Sequence, residues 1–454
     1  MVPTPHPKKH WPIVTALIET FGFSPALATV VALFLTFITV LAVVWVVRSA
    51  PPRKLVLTSG PAGSSFERWA EAYKAILATH GVTLEVRSSA GSLDNFQRLK
   101  AAGSTVDVGF LSGGMAEGTD LHGIESLGSI AYQPLWVFYR SETPITRLAE
   151  LSGKRLAVGG KGSGTRALAL TLLAANGITG APTTFLERDS EVAANGLLDG
   201  RLDAVFLMGD SASLQTLRTL VRSTDVRLFN FVQADAYVRR NGFLNRIELP
   251  QGSIDLGKNL PEQDITLVGP TVELVARKGL NSALTDLLLE VAQEVHGKAN
   301  ILQKRNEFPA PQEHEIALSA DALRYYKSGK GIIYGAISSF WLANLLNRLL
   351  VVIVPVALVL IPAIRFFPLA YKWSVQLQIY RCYRPLLRLE RDASGPLTRA
   401  RATELLQRLD EIENTVDALK VPASFADQFY VLRGHVAFVR QRLTSAVPAE
   451  SPGA

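Results

Sequence analysis

The chain has 454 residues, of which 48% are hydrophobic and 19% charged, with a formal net charge of +7. Its single cysteine, Cys382, excludes an intrachain disulfide framework, and its seven scattered histidines show no pair at ligand spacing, so neither a metal nor another cofactor is expected. The basic excess is not a nucleic-acid footprint, because residues 53–330 hold 30 basic and 30 acidic side chains and the surplus lies outside that block.

Residues 1–19, with Lys8 and Lys9, lead into 28 uncharged residues from Thr20 to Val47. Crossing a hydrocarbon core of ~30 Å takes ~20 apolar helical residues, so 20–47 predicts a transmembrane helix. The alternative is a cleaved signal peptide. The sequence that follows, Val46-Val47-Arg48-Ser49-Ala50-Pro51-Pro52, fits a cleavage point poorly and holds no lipoprotein cysteine, which favours a retained anchor.

From residue 53 strand-like and helical patterns alternate. Strands are predicted at Lys54–Thr58, Val82–Arg87 and Asp107–Leu111, with helices at Phe66–Thr79 and Leu93–Ala101 between them. An apolar strand follows at Leu135–Tyr139. A second series runs Arg155–Val158, Thr165–Asn176, Thr183–Leu186, Glu191–Leu198 and Ala204–Met208. Another strand region spans Ile265–Arg277, and helices over Ser282–Val295 and Ala317–Lys327 close the block. Such alternation predicts βαβ units and parallel sheets. The expected fold class is α/β: a two-lobed, type II-like binding-protein clamshell over 53–330, flanked by two transmembrane helices and followed by a helical tail. Lobe 1 takes 53–130 and 270–330, lobe 2 takes 140–262, and the crossings fall near Ala131–Arg140 and Glu262–Arg277.

Three strand-to-helix turns combine glycine with hydroxyl residues: Ser59-Gly60-Pro61-Ala62-Gly63-Ser64-Ser65-Phe66, Ser88-Ser89-Ala90-Gly91-Ser92-Leu93-Asp94-Asn95 and Gly159-Gly160-Lys161-Gly162-Ser163-Gly164-Thr165-Arg166. Glycine lets a backbone approach a ligand closely, and a helix start offers unpaired N–H groups to a carboxylate. Each turn alone reads as an ordinary N-cap. Three in this order within one α/β block point to a shared anion-binding cleft. The candidate ligand-binding residues are Ser64, Ser65, Phe66, Ser92, Asn95, Gly162, Ser163, Gly164, Thr165 and Arg166. No turn ends in the Gly-Lys-Ser/Thr of a phosphate-binding loop. Lys161 reads as a rim charge, and Arg166 as either a carboxylate partner or a solvated side chain. Met208-Gly209-Asp210-Ser211 ends a strand and starts a helix, so that it adds a wall to the cleft or, more simply, Asp210 caps that helix. Tyr132 and Trp136 line the ligand or, more simply, belong to the core.

A second apolar run, Leu349–Ile364 with its flanks, predicts a second span over 341–367. Pro355 and Pro362 would break a soluble helix but are tolerated in membranes. Arg365, Lys372, Arg381, Arg384, Arg388 and Arg391, against Glu390 alone, give a positive-inside flank. Both termini are therefore expected in the cytoplasm, with the large block outside and anionic lipid heads as one partner. The tail, 371–447, reads as a helical hairpin whose Leu405, Leu406, Leu409, Ile412, Val416 and Leu419 follow a helical period, packing on themselves or on a partner.

These residues carry a resemblance. The third turn, with Gly162-Ser163-Gly164-Thr165, Ala90-Gly91-Ser92-Leu93-Asp94-Asn95, and Leu198-Asp199-Gly200-Arg201-Leu202-Asp203-Ala204-Val205-Phe206 together resemble motifs of the TAXI branch of TRAP transporter solute receptors. Phe340–Leu349 and the tail segments Val421-Pro422-Ala423 and Tyr430–Val436 are similar to its membrane-anchored members. The first turn departs from that family's Gly-Thr-Gly-Gly-x-Tyr, and Phe66 lacks the tyrosine hydroxyl. The resemblance implies a non-enzymatic receptor at the bacterial inner membrane that closes on a small organic anion and serves a TRAP-type permease. The alternative is a sensor or scaffold that signals through the spans to the tail.

Overall fold

The computed structural model describes residues 11–21, 25–115, 118–312, 315–331, 333–334, 337, 339–395, 398–419, 421 and 425–445. Lys8, Lys9, Pro422 and Ala423 lie outside the described residues. The chain divides into two compact units, Ala50–Asn347 and a second made of Met1–Ser49 with Arg348–Ala454.

The first unit opens with β1 (Lys54–Thr58), α3 (Ser65–Thr79), β2 (Thr83–Arg87), α4 (Ser92–Lys100), β3 (Val108–Ser112) and β4 (Ile124–Tyr132), numbered after two helices described below. β1 lies parallel to both β2 and β3. The chain then passes to a second sheet built from β5 (Trp136–Tyr139), β6 (Arg155–Ala157), β7 (Thr184–Leu186), β8 (Ala204–Leu207) and β9 (Arg227–Leu228). Helices α5 (Gly164–Ala175), α6 (Ser190–Leu198), α7 (Leu214–Arg222) and α8 (Ala234–Arg240) flank it. β10 (Leu244–Leu249) and the long β11 (Ile265–Arg277) lead back, and α9 (Ser282–His296) and α10 (Ala320–Ser328) finish on the first lobe.

Both sheets are mixed. The first runs β10-β11-β3-β1-β2 with β4 also on β11, and the second β7-β6-β8-β5-β9. The antiparallel strand beside β8, β5, follows the first crossing, and the one beside β3, β11, itself makes the second. The early part of β11 packs in the second lobe through Ile265 and Leu267, and the later part packs in the first through Val272, Leu274 and Ala276. The two crossings are themselves bonded: the Gln133 amide donates to the Pro270 carbonyl and that of Leu135 to Val268, each at 2.8 Å. β4, α8, β9 and β10 are additions to the elements expected from the sequence. β4 escapes a periodicity search because Ser126, Gly128 and Ser129 interrupt its apolar residues, although most of its side chains are buried.

Each lobe has its own core. Phe66, Tyr73 and Leu77 on one face of α3 pack with Phe110 and the Leu284–Leu288 face of α9. In the second lobe Leu168, Leu172 and Leu173 of α5 meet Phe206, Phe229 and Phe231. Sealing such side chains from water stabilises each by about 2 kcal/mol.

The ends of this unit meet at Trp341. Its Nε1 donates to the His80 carbonyl at 3.0 Å, and the Arg53 guanidinium lies 5.0 Å from its ring centre.

In the second unit α1 (Pro12–Phe21) packs on α2 (Pro25–Arg48) through Val14, Ala28 and Ala32. The first apolar helix thus starts at Pro25 rather than Thr20, as suits a proline at a helix start. α11 (Phe340–Asp392) runs through Pro355 and Pro362 without a break. Pro25–Arg48 and Phe340–Pro362 are both long and apolar enough to cross a membrane, with mean hydropathy 2.9 and 2.4. The Arg348 guanidinium donates to the Val46 carbonyl. Beyond the apolar segment, α12 (Arg399–Asp417) and α13 (Ala426–Ser445) form the expected hairpin, and the second half of α11 joins it. Ile379, Leu386 and Leu389 pack there with Leu405, Leu409, Leu432, Val436 and Leu443. The stripe on α12 is therefore satisfied within the chain.

Candidate functional site

The site lies where the lobes face one another. Parallel pairing of β6 with β8 sets the turns after their carboxyl ends side by side. Pairing of β1 with β2 and β3 does the same for the turns of the first lobe. Ligand sites in α/β sheets form at such strand ends.

Each turn first caps its own helix. The Ser64 Oγ accepts from the Glu67 amide at 3.2 Å, and the Ser163 Oγ from the Arg166 amide at 3.2 Å. Gly91 starts α4 at a φ of +127°, a backbone state that disfavours any side chain.

The cleft is closed, and a carboxylate of the chain itself fills it. Asp210 is fully buried. Its Oδ2 accepts from the Gly164 amide at 2.6 Å and the Ser92 amide at 3.4 Å. Its Oδ1 accepts from the Thr165 and Ser211 hydroxyls, both at 3.0 Å. The starts of α4, from one lobe, and α5, from the other, thus converge on one carboxylate. Burial pushes the Asp210 carboxyl up from its ordinary value, against these four donors, which hold it down. The expectation that Asp210 caps the following helix is corrected: α7 starts only at Leu214, and Ser213 caps it by accepting from the Thr216 amide at 3.0 Å.

The loop that carries Asp210 is clamped from both sides. The Ser65 amide and hydroxyl donate to the Gly209 carbonyl at 2.8 and 2.5 Å. The Gln133 side-chain oxygen, in the orientation that satisfies its amide, accepts from the Gly209 and Asp210 amides at 2.7 and 2.5 Å. The Asp94 amide donates across the seam to the Gly162 carbonyl at 3.0 Å.

The other candidates are placed as follows. The Ser92 hydroxyl lies 2.9 Å from that of Ser112. Asn95 is a buried clip: its Oδ1 accepts from the Thr58 hydroxyl at 2.6 Å, and its Nδ2 donates to the Ser59 and Phe110 carbonyls at 2.6 and 2.9 Å. Phe66 is a core side chain, its ring 5.5 Å from that of Phe110. Arg166 pairs with Glu187 at 2.6 Å, and Lys161 is exposed. Trp136 is buried and stacks on Phe138, while the Tyr132 hydroxyl donates to Glu307 at 2.9 Å and is pushed up to about 12 by burial and that carboxylate. Ser65, Ser92, Gly164 and Thr165 therefore meet around the Met208–Ser211 turn, whereas Phe66 and Asn95 belong to the first lobe's interior. Gln133 was missed, and the cleft-wall reading of the Asp210 turn ranked below the cap. The legible signal was an acid in a Gly-Asp-Ser turn at a strand end, but its neighbours depend on strand order. Among the described residues no cluster of three or more His, Cys, Asp or Glu side chains is placed to hold a metal ion.

A family model described as NMT1-like matches residues 57–328. No curated protein sequence matches the chain. Among solved structures, the substrate binding protein of an amino acid ABC transporter is 14% identical, covers 53% of this chain and 92% of its own, and has a TM-score of 0.33. An ancestral arginine-binding protein bound to arginine is 16% identical over 54% of this chain and 93% of its own, with a TM-score of 0.34. The periplasmic aliphatic sulphonate binding protein of Escherichia coli is 15% identical over 54% and 73%, with a TM-score of 0.33. Two mixed α/β lobes joined by two crossings give the first unit a periplasmic-binding-protein-like fold.

Proposed function

The chain belongs to the NMT1-like family, of periplasmic solute-binding type, and from that premise we propose that it is a membrane-tethered receptor for a small organic carboxylate, serving TRAP-type uptake. The observation that carries this reading is the convergence of two helix starts, from opposite lobes, on one buried carboxylate at the seam. Backbone N–H groups and helix dipoles favour an anion there, and the hydroxyl of Thr165 adds a directional donor. The reading keeps Ser65, Ser92, Gly164 and Thr165 as solute-contacting residues. α2 and the apolar part of α11 are its membrane spans. The basic flank from Arg365 to Arg391 supports a cytoplasmic tail and an extracytoplasmic receptor domain at a bacterial inner membrane.

The test is a thermal-unfolding screen of the full-length, detergent-solubilised protein against organic acids at millimolar concentration. A saturable rise of the midpoint with one chemical class is expected. No response across mono- and dicarboxylates, amino acids and sulfonates sinks the reading.

A second reading, a ligand sensor or scaffold, is favoured by one observation: the tail is a folded helical unit with its own core rather than a loose extension. Deleting 371–454 separates the two. Uptake that survives while a downstream response is lost supports sensing.

A further inference from the structure

We propose that Asp210 is a built-in ligand: it holds the two lobes closed without solute, and a solute carboxylate binds by displacing the Met208–Ser211 turn. This rests on the receptor reading for the solute's identity as a carboxylate, and on geometry alone for the self-closure.

One bond of the Asp210 carboxylate crosses the seam, from the Ser92 amide at 3.4 Å, and the other three anchor it within its own lobe. Ser92 comes from the first lobe, while Gly164, Thr165 and Ser211 come from the second. The neighbouring Gly209 carbonyl makes two further crossing bonds, to the amide and hydroxyl of Ser65, beside the separate Asp94–Gly162 bond. One four-residue turn therefore supplies two seam-closing groups. The glycines of the opposing turns fit this side chain closely. A β-carbon at Gly91 would lie 2.8 Å from Asp210 Oδ2, and one at Gly164 would lie 2.9 Å from it. The close backbone approach read from the sequence as room for a ligand is room for Asp210.

All four hydrogen-bond donors to the carboxylate are neutral. The site therefore selects a carboxylate by its two oxygens and by helix ends. A tethered group competes at a high effective concentration, so solute affinity falls in proportion to the small fraction of molecules whose turn is displaced. Removing the competitor is expected to raise the apparent affinity for a small carboxylate at least about tenfold, the change produced by a competent fraction of about one in ten.

The experiment uses the full-length protein in detergent, with formate and acetate as probes. Asp210→Ala is expected to lower the unfolding midpoint. Formate or acetate at tens of millimolar then restores part of the loss saturably, while chloride at equal ionic strength does not, and the unsubstituted protein is unmoved. If Asp210→Ala responds to formate and acetate no more than the unsubstituted protein does, the proposal is overturned. A second measurement needs no change at Asp210. Spin labels at Lys74→Cys and Thr219→Cys, exposed sites on α3 and α7, are placed in a Cys382→Ser background. One short-distance population without solute is expected; a dominant long or broad distribution overturns self-closure. If the lobes are open and close on an organic acid, self-closure fails while the receptor reading stands. If they are closed, and no acid moves either protein except formate or acetate on Asp210→Ala, the receptor reading fails while self-closure stands.

Discussion

The Gly164 amide donates to Asp210 Oδ2 at 2.6 Å, and a β-carbon on Gly164 would lie 2.9 Å from that oxygen and 3.1 Å from the Ser92 β-carbon. First-turn amide, carboxylate and opposing turn are packed with no space for a methyl group. Gly164→Ala should therefore destabilise the domain by about 1–3 kcal/mol through overpacking, although alanine is worth about 1 kcal/mol more than glycine inside a helix. Denaturant unfolding reads the net sign. A stabilised variant would show that the seam yields freely.

Asn95, a candidate ligand contact in the sequence, ties β1, α4 and β3 together through three hydrogen bonds. Asn95→Ala should lower stability by about 2–4 kcal/mol, because it strands the buried Thr58 hydroxyl and two carbonyls. The loss should be the same with and without added organic acid. A loss that appears only with an acid present would return Asn95 to the binding site.

Glu273 sits on β11 at 3% exposure, its Oε2 without a hydrogen-bond partner among the described residues, and burial with the nearby Glu315 charge raises its carboxyl to about 7. A raised folded value means that the protonated form is favoured in the native state. The associated stability is fully present below the ordinary carboxyl range and is lost as pH rises through about 7. The loss should reach roughly 3 kcal/mol at alkaline pH. Unfolding midpoints from pH 5 to 8.5 should fall in the native chain and stay flatter in Glu273→Gln. Parallel profiles would refute the assignment.

Trp341 joins the two ends of the first unit through His80 and Arg53. Trp341→Phe keeps most of the apolar contact and loses the N–H bond, which should cost about 1 kcal/mol. Trp341→Ala should cost about 3 kcal/mol. Amide exchange should quicken first at Arg53–Leu55 and at Gly81, whose β-carbon position lies 2.9 Å from the indole Nε1.

Much of the architecture was readable because burial leaves a period. α3 shows its buried Phe66, Ala70, Tyr73 and Leu77 at helical spacing, and the run Ile265–Arg277 is β11 itself. β4 was not readable, because its hydroxyls are satisfied inside the sheet, as where Ser129 meets Thr271 at 3.1 Å. At the site, the caps Ser64 and Ser163 are local events and were visible in the turns. The partner of Gly164 was not: Asp210 lies 46 residues away and arrives only because β6 and β8 are parallel neighbours. In the tail the α12 stripe was legible, but its partner on α11 was masked by continuity with the apolar segment before it.

The bonded crossings have a mechanical consequence. Gln133 and Leu135 are laddered to Pro270 and Val268, with Gly269 pressed so closely on Gln133 that a β-carbon there would lie 2.2 Å from its carbonyl oxygen. A two-strand strap bends readily across its width and resists stretching and shear. Any opening of the lobes would therefore turn on this strap as on a single pin. Gln133 belongs to that pin, and its side chain also holds the Gly209 and Asp210 amides. Displacement of the Asp210 turn by solute would therefore also free the side chain of a residue of the pin.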